Sequence, residues 1–398
     1  MALAEWQKIS RVKPNQPFGD GSDGALSISS DTTQAPTDEH CTGTATTTAL
    51  TCTSTTLSDG DVILIHQSRG TGVGQWEINQ VASGGGTVNI VTLKPLNYTY
   101  TGGASQAQAI VIPMYSSVTV DNTKTWTAKA WGGVVGGILL WACNGTSTIT
   151  GNLSVNGNPG STATGGNGTG YGGGDGNSVA VAYGDQGEGT VGAGGISKAA
   201  NGNGGGGGEN GSGSNSFADG GGGGGNGTAG SNGAGANAGA GGAAISGADL
   251  STGYVFAGGG GAGGGDDIGN GRAGGAGGGI MFIASKMFTV TGTGTSTGGA
   301  GVAAIGSTPD NLAGAGGGGA GGSILIQAQT VILGSSKLTA SGGAGGAAAG
   351  GASGGGAGGT GRIAVHYSGS YTGTTSPSLT PTYDTSLMQF GMSGILEG

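Results

Sequence analysis

Short runs of β-branched and aromatic residues alternate with turn residues from about Ala25 to Gly157: residues 61–67 read DVILIHQ, 87–93 TVNIVTL, 109–115 AIVIPMY and 117–121 SVTVD. Alternation of this kind, bounded by Gly, Asn and Asp, predicts β-strands. Val62, Leu64 and His66 then face one side and Ile63 and Ile65 the other, so His66 is expected on a strand face, without catalytic meaning. No segment carries a helical period of useful length.

After Gly157 the pattern changes. Gly, Ala and Asn tracts separate brief apolar units that repeat: GGILLWACNGTSTITGNLSVNG from Gly136, GGIMFIASKMFTVTGTGTSTGG from Gly278, GGSILIQAQTVILGSSKLTASGG from Gly321 and a shortened GGTGRIAVHY from Gly358. Each has two glycines and an apolar strand; the three full units add a second strand and a return to glycine. The phrase GGAGG at Gly274 and again at Gly318 sets a period of 44 residues, which predicts stacked repeats rather than independent domains.

Composition sharpens this picture. Of 398 residues, 103 are glycine, 9 are proline and 8% are charged, against roughly 7% glycine and about 25% charged residues in average proteins. The net charge of −9 is scattered, so no basic patch is available to neutralise phosphates or anionic lipids, and neither nucleic-acid nor membrane partners are expected. The longest apolar run, 138–143, is far short of the ~20 residues of a membrane span. Glu5 and Gln7 interrupt the start, so export by a secretory signal is not expected unless a signal has been removed.

Little of the sequence points to chemistry. Cys41 and Cys52, in HCTGTATTTALTC, are spaced so that a hairpin can bring their sulfurs together, either as a disulfide or as separate thiols. Metal binding by His40, Cys41, Cys52 and His66 lacks the usual ligand spacing, and no metal or cofactor is expected. Cys143 reads as a buried thiol. Asp20 and Asp23 in FGDGSDGAL lack the closing Glu of a calcium loop, and a turn into a strand is the plainer reading. His40, His66 and His366 lie in separate contexts, and neither a nucleophile elbow nor a phosphate loop occurs. Asn144, Asn167 and Asn226 each precede Gly-Thr, a formal glycosylation signal but also a tight-turn pair.

The glycine tracts are either disordered or themselves the building material. Their regular apolar anchors favour the second reading, as extended helices of three residues per turn that bond to their neighbours. At ~3.1 Å rise per residue the six glycines 220–225 would span ~19 Å. Gly204, Gly206, Gly222, Gly223, Gly259, Gly317 and Gly355 represent the scaffold positions, with glycine alone expected at interior tracts and Ala, Asn or Thr facing outward.

The tracts GGGGGENG, GGGGGGNGTAG, AGGGGAGGG, AGAGGGGAGG and SGGGAGGTG, separated by variable loops, resemble the phage tail-fibre adhesins that fold as a polyglycine-II sandwich. The phrases FGDGSDGALSIS, AWGGVVGGILL, GGAGGGIMFIAS, GGGGAGGSILIQAQTV and GGTGRIAVHY resemble glycine-rich bacterial surface and matrix proteins, over more of the chain. The first resemblance implies a rigid scaffold whose loops bind a receptor, protein or glycan, on a host surface, in a protein carried on a virion tail by a fibre or baseplate partner. The second implies a self-assembling fibre on a bacterial surface.

The fold class expected is all-β plus polyglycine-II: an N-terminal β region followed by a glycine-rich repeat scaffold of packed polyglycine-II helices and short β-strands. Residues 1–24 form an attachment segment, 25–157 a β-rich domain, 158–367 the glycine-rich domain and 368–398 a C-terminal tail. A non-catalytic adhesin is expected, with Tyr171, Tyr183, Phe217, Tyr254, Phe256, Asp266, Asp267 and Arg272 as candidate receptor contacts, because aromatic side chains give contact area at small entropy cost. Phe217 also fits as a cap over neighbouring glycines. Asp266 and Asp267 raise a third possibility, a polysaccharide depolymerase, but adjacent carboxylates in extended chain point apart, whereas a glycosidase needs two facing each other.

Overall fold

A computed structural model describes residues 17–103, 105–162, 164–176, 183–209, 218–245, 250, 254–265, 271–306 and 312–387. The regular elements of the described residues are β-strands and a short 3-10 turn at Thr385–Leu387, with Leu250 also in 3-10 conformation.

The chain opens with β1 (Ala25–Ile28) and β2 (Thr32–Gln34). It then builds a closed antiparallel barrel from β3 (Asp38–Gly43), β4 (Ala49–Cys52), β5 (Val62–Arg69), β6 (Trp76–Ser83), β7 (Asn89–Thr92) and β8 (Gln106–Val111), in the order β3-β4-β7-β6-β5-β8. Closure leaves this unit no free edge. Cys41, Leu50, Ile63, Ile65, Val81, Ile90 and Tyr100 are among the side chains that fill it. Val62 and Leu64 face the other way, into a second cluster that joins the barrel to the rest of the molecule. In β3, Glu39 ties down the following loop by accepting from the amides and hydroxyls of Ser54 and Thr56. Burial alone would raise this carboxyl, yet those four bonds outweigh it and hold it below the usual range.

Beyond the barrel come β9 (Met114–Tyr115), β10 (Ser117–Val120), β11 (Thr125–Ala128), β12 (Ile138–Ile149) and β13 (Asn152–Ser154). The later strands are β14 (Ile280–Val290), β15 (Thr293–Thr295), β16 (Ile305–Gly306), β17 (Leu312–Ala313), β18 (Ser323–Leu333), β19 (Leu338–Thr339), β20 (Arg362–Thr372), β21 (Thr375–Ser376) and β22 (Thr382–Tyr383). With β1 and β2 they make two parallel sheets, β1-β10-β12-β14-β18-β20-β22 and β2-β11-β13-β15-β19-β21, with β9 beside β12, while β16 and β17 pair with each other as a separate antiparallel hairpin. Each long strand of the first sheet is followed by a short strand of the second, so the chain coils. The four long strands stack in register, Ile138 on Ile280, Ile280 on Ser323 and Ser323 on Arg362. Residues of one parity, including Leu139, Trp141, Met281, Ile283, Ile324, Ile326 and Val365, fill the space between the sheets. Trp126 stacks on Trp141 there, centroids 4.8 Å apart. Residues of the other parity, including Leu140, Ile280 and Leu325, pack toward the barrel.

The glycine tracts bond to one another with a period of three. Within 220–225, Gly220 and Gly223 donate to Ala234 and Ser231, Gly221 and Gly224 to Ala315 and Gly318, and Gly222 and Gly225 to Gly206 and Asn203. The six carbonyls accept from three further tracts: Gly220 and Gly223 from Gly239 and Gly242, Gly221 and Gly224 from Gly356 and Gly359, Gly222 and Gly225 from Ala262 and Gly259. One glycine tract thus has six neighbours, and every backbone polar group in it is paired, as burial requires.

The 255–265 and 313–322 tracts are ringed in the same way. The 255–265 tract donates to Gly278, Gly225 and Glu188 in turn and accepts from Tyr171, Ala320 and Gly205. The 313–322 tract donates to Gly265, Ser353 and Val302 and accepts from Gly221, Gly346 and Gly275. These three inner tracts also bond one another in a cycle, 218–226 to 313–322, 313–322 to 255–265 and 255–265 back to 218–226.

The reason for glycine here is close approach. A Cβ on Gly204, Gly206, Gly222, Gly223, Gly259, Gly317 or Gly355 would lie 1.9–2.2 Å from a carbonyl oxygen of another segment, and none of these seven has a positive φ. At the Gly136–Gly137 entry to β12 a conformational demand, with φ of 105° and 78°, is added to close approach. The expectation of pure glycine inside the array is corrected: Ala262, Ala315 and Ala320, on inner tracts, are fully buried. The Ala315 methyl occupies space opposite Gly346, where a second Cβ would come within 2.9 Å of it. The Val302 carbonyl oxygen, 2.0 Å from that added Cβ, closes the same gap with backbone.

Candidate functional site

The tracts give the molecule two ends. At one end they run straight into the sheets, 271–279 into β14, 313–322 into β18 and 352–361 into β20. The barrel meets the array at this end too: Gly70 donates to Thr190, Val255 to Gly74, and the Tyr171 hydroxyl to the Ser68 carbonyl. At the opposite end the chain reverses at 161–164, 235–237 and 349–352. The segments 177–182, 210–217, 266–270 and 307–311 leave from and return to residues there, as the bonds Asp185 to Asp175, Asp219 to Glu209, Gly264 to Arg272 and Gly314 to Gly265 locate.

The candidate contact residues divide between these ends. Tyr171 is 1% exposed and meets Trp131 edge-on, centroids 6.2 Å apart. Phe256 is buried, lies over Gly74 and stacks on Tyr254 at 6.4 Å. These three aromatic side chains belong to the junction with the barrel, which corrects the expectation that Tyr171 and Phe256 offer free surface. Tyr183, half-buried beside Glu209, and Arg272, 7% exposed, sit at the far end. Phe217, Asp266 and Asp267 lie outside the described residues. Asp175 and Asp185 are neighbours at that end, and burial together with the Asp175 charge raises the Asp185 carboxyl.

The junction holds a polar cluster that sequence reasoning missed. Arg69, from β5, forms an ion pair with Glu188, whose other oxygen accepts from Trp131 Nε1 at 2.9 Å and from the Gly172 amide at 3.0 Å. Beside it Gln108 Nε2 donates to Ser68 Oγ (2.7 Å), which lies 2.8 Å from His66 Nδ1, while His66 Nε2 lies 2.9 Å from the Val255 carbonyl. The chain is satisfied when Ser68 donates to Nδ1 and Nε2–H donates to Val255, which requires a neutral ring. The only sequence signal was a charged residue, Glu188, inside a glycine tract.

Burial pushes His66 down to about 4, against about 6.5 when unfolded. Folding stability carried by the neutral ring is therefore complete above pH ~6.5 and falls as the pH drops toward 4, by roughly 3 kcal/mol in all. Denaturant midpoints across this window should show that slope. His66→Gln should flatten it, with His40, also lowered by burial, keeping a remainder.

The described residues show little reactive grouping. His40, His66 and His366 stand on β3, β5 and β20. Among the described residues no three His, Cys, Asp or Glu side chains gather as a metal cradle, and no helix is long and apolar enough to cross a membrane. A cleft of about 170 Å³ on the barrel flank is walled by Asp20, Ser22, Asp23, Asp61 and Gln80, with no Lys, Arg or His among its lining residues. Cys41, Cys52 and Cys143 are free thiols.

No family model and no curated protein matches the chain. Among solved structures it is similar to the Gp54 tailspike of Acinetobacter baumannii bacteriophage AP22, in complex with A. baumannii capsular saccharide. The identity is 10% and the TM-score 0.20, over 33% of this chain and 28% of that one. The chain thus spans under a third of that tailspike.

Proposed function

We propose that this chain is a non-catalytic receptor-binding adhesin of a phage tail, in which the glycine tracts are polyglycine-II helices packed as a rigid frame. The period of three in the interchain bonds, the six neighbours of each inner tract and the absence of positive φ along 220–225 support the polyglycine-II reading. The observation that carries the function is the placement of chain reversals. Among the described residues the chain reverses near 161–164, 235–237 and 349–352 at the end away from the barrel, and the residues flanking 177–182, 210–217, 266–270 and 307–311 lie there too, on a frame bonded tract to tract. Connecting segments on a rigid support suit recognition, since little entropy is lost when the frame does not move. The barrel and sheets at the other end would hold the protein to a tail fibre or baseplate, and the far connections would meet a protein or glycan on the host surface.

Exchange of segments 210–217 and 266–270 for those of a chain with another host should move binding to the second host, with the melting temperature unchanged. Binding of purified protein to whole cells reads the result. Retention of the original host preference after both exchanges would discard the adhesin reading.

A second reading, a self-assembling surface fibre, draws on β20. It spans Arg362–Thr372, and among the described residues its outer neighbour β22 pairs only with His366 and Tyr367, an edge that a strand from another copy could extend. Concentration-dependent growth of filaments in light scattering would favour it.

A further inference from the structure

We propose that Cys41 and Cys52 are a closing pair, which in oxidising surroundings joins as a disulfide across β3 and β4 inside the barrel. The two residues are direct partners in the antiparallel register. Thr53 donates to the His40 carbonyl, a bond that brackets the pair from outside and makes it the non-hydrogen-bonded kind. Such pairs bring their Cα atoms to about 4.5 Å, inside the ~4.4–6.8 Å that a disulfide spans. Both side chains point to the barrel interior, Cys41 0% and Cys52 5% exposed. The third thiol, Cys143, lies in the separate core between the parallel sheets and does not compete.

The position gives the bond its effect. β3 is shared between two neighbours: Asp38–His40 pair with β8, and Cys41–Gly43 pair with β4. Each side of this seam is three residue pairs long, the shortest ladders to any one neighbour being here and along β7. A covalent link at Cys41 and Cys52 ties the seam where the chain crosses from one half of the barrel to the other.

The reaction is thiol–disulfide exchange with a small-molecule disulfide of the glutathione class. One thiolate attacks the reagent, forming a mixed disulfide and releasing a first thiolate; the second cysteine then displaces the other reagent sulfur. Two protein thiols are oxidised to one S–S bond, the reagent is reduced to two thiols, and the two protons pass to them. In the closed barrel, burial raises both thiols, Cys52 to about 12, so few thiolates are present and exchange belongs to chains whose barrel is still open.

The test refolds the full chain from denaturant in a mixture of oxidised and reduced glutathione, then counts thiols and measures mass after acid quenching. Closure takes the count from the three cysteines of the sequence to one, with a mass lower by two hydrogens. Cys143→Ser still closes and Cys52→Ser does not. The oxidised form should unfold several degrees above the reduced form and at least tenfold more slowly. Three persisting thiols, a glutathione adduct as the end product, a bond to Cys143, or equal unfolding of the two forms would overturn the proposal.

Discussion

Gly223→Val is expected to yield no cooperatively folded protein. The added Cβ would lie 2.1 Å from the carbonyl oxygen of Ala357 and 2.4 Å from its carbon. Both are backbone atoms of a tract that is itself fixed, because Ser231 donates to that same oxygen and Gly356 and Gly359 donate back to 220–225. Relief needs a movement of about 1 Å in a segment held every third residue, and that movement breaks bonds on its other sides. Overpacking of an ordinary core costs ~1–3 kcal/mol because side chains give way; here only backbone is available to give way, so ~4 kcal/mol or more is expected. Even Gly223→Ala should be severe. Gly192, where a Cβ meets nothing within 4 Å, supplies the control, and Gly192→Ala should melt within a degree or two of the parent. Equal melting of the Gly223 and Gly192 variants would show that the tracts are not closely packed.

Glu188→Ala should cost ~3–5 kcal/mol, as expected when one partner of a buried ion pair is removed. The variant leaves the Arg69 guanidinium inside the junction without its counter-charge, and deprives Trp131 Nε1 and the Gly172 amide of their acceptor. Side-chain exposures of 10% for Arg69 and 9% for Glu188 leave little water to compensate. The sharper measurement is the pair: Arg69→Met with Glu188→Met removes both charges and should recover much of the loss. If the double variant is no more stable than Glu188→Ala alone, the damage comes from packing and the charges are bystanders.

Strands and breaks were legible in the sequence because they follow from local chemistry. The apolar runs at 61–67 and 138–143 become β5 and the start of β12, whereas the run at 109–115 is split at Ile112–Pro113 between β8 and β9. Partnership was not legible. Barrel strands and coil strands alike read as short apolar runs between turn residues, and it is pairing across long separations, such as β3 with β8, that tells them apart. The phrase GGAGG recurs after 44 residues, yet Ile280 pairs with Ser323, a step of 43. The difference is Gly279, an extra residue before the strand that an alignment of phrases passes over. Among the candidate contacts, aromatic character could not separate a side chain that caps a joint, such as Tyr171, from one that faces solvent. Glycine itself was ambiguous, since a missing Cβ serves a linker and a packed backbone equally well until neighbours are known.

The ring of six around 220–225 bears on how the molecule is made. Its partners at 203 and 206 precede it in the chain, those from 231 to 262 follow soon after, and those at 315, 318, 356 and 359 come last. A nascent chain emerges at ~5–20 residues per second, so the innermost tract waits for roughly 130 further residues, about 7–26 s, before its last hydrogen bonds can form. During that interval its carbonyls at Gly221 and Gly224 have only water. The array is therefore a late product of synthesis, completed from outside inward by its final tract, and a chain interrupted before Gly356 would carry its central glycines with two of their bonds permanently unmade.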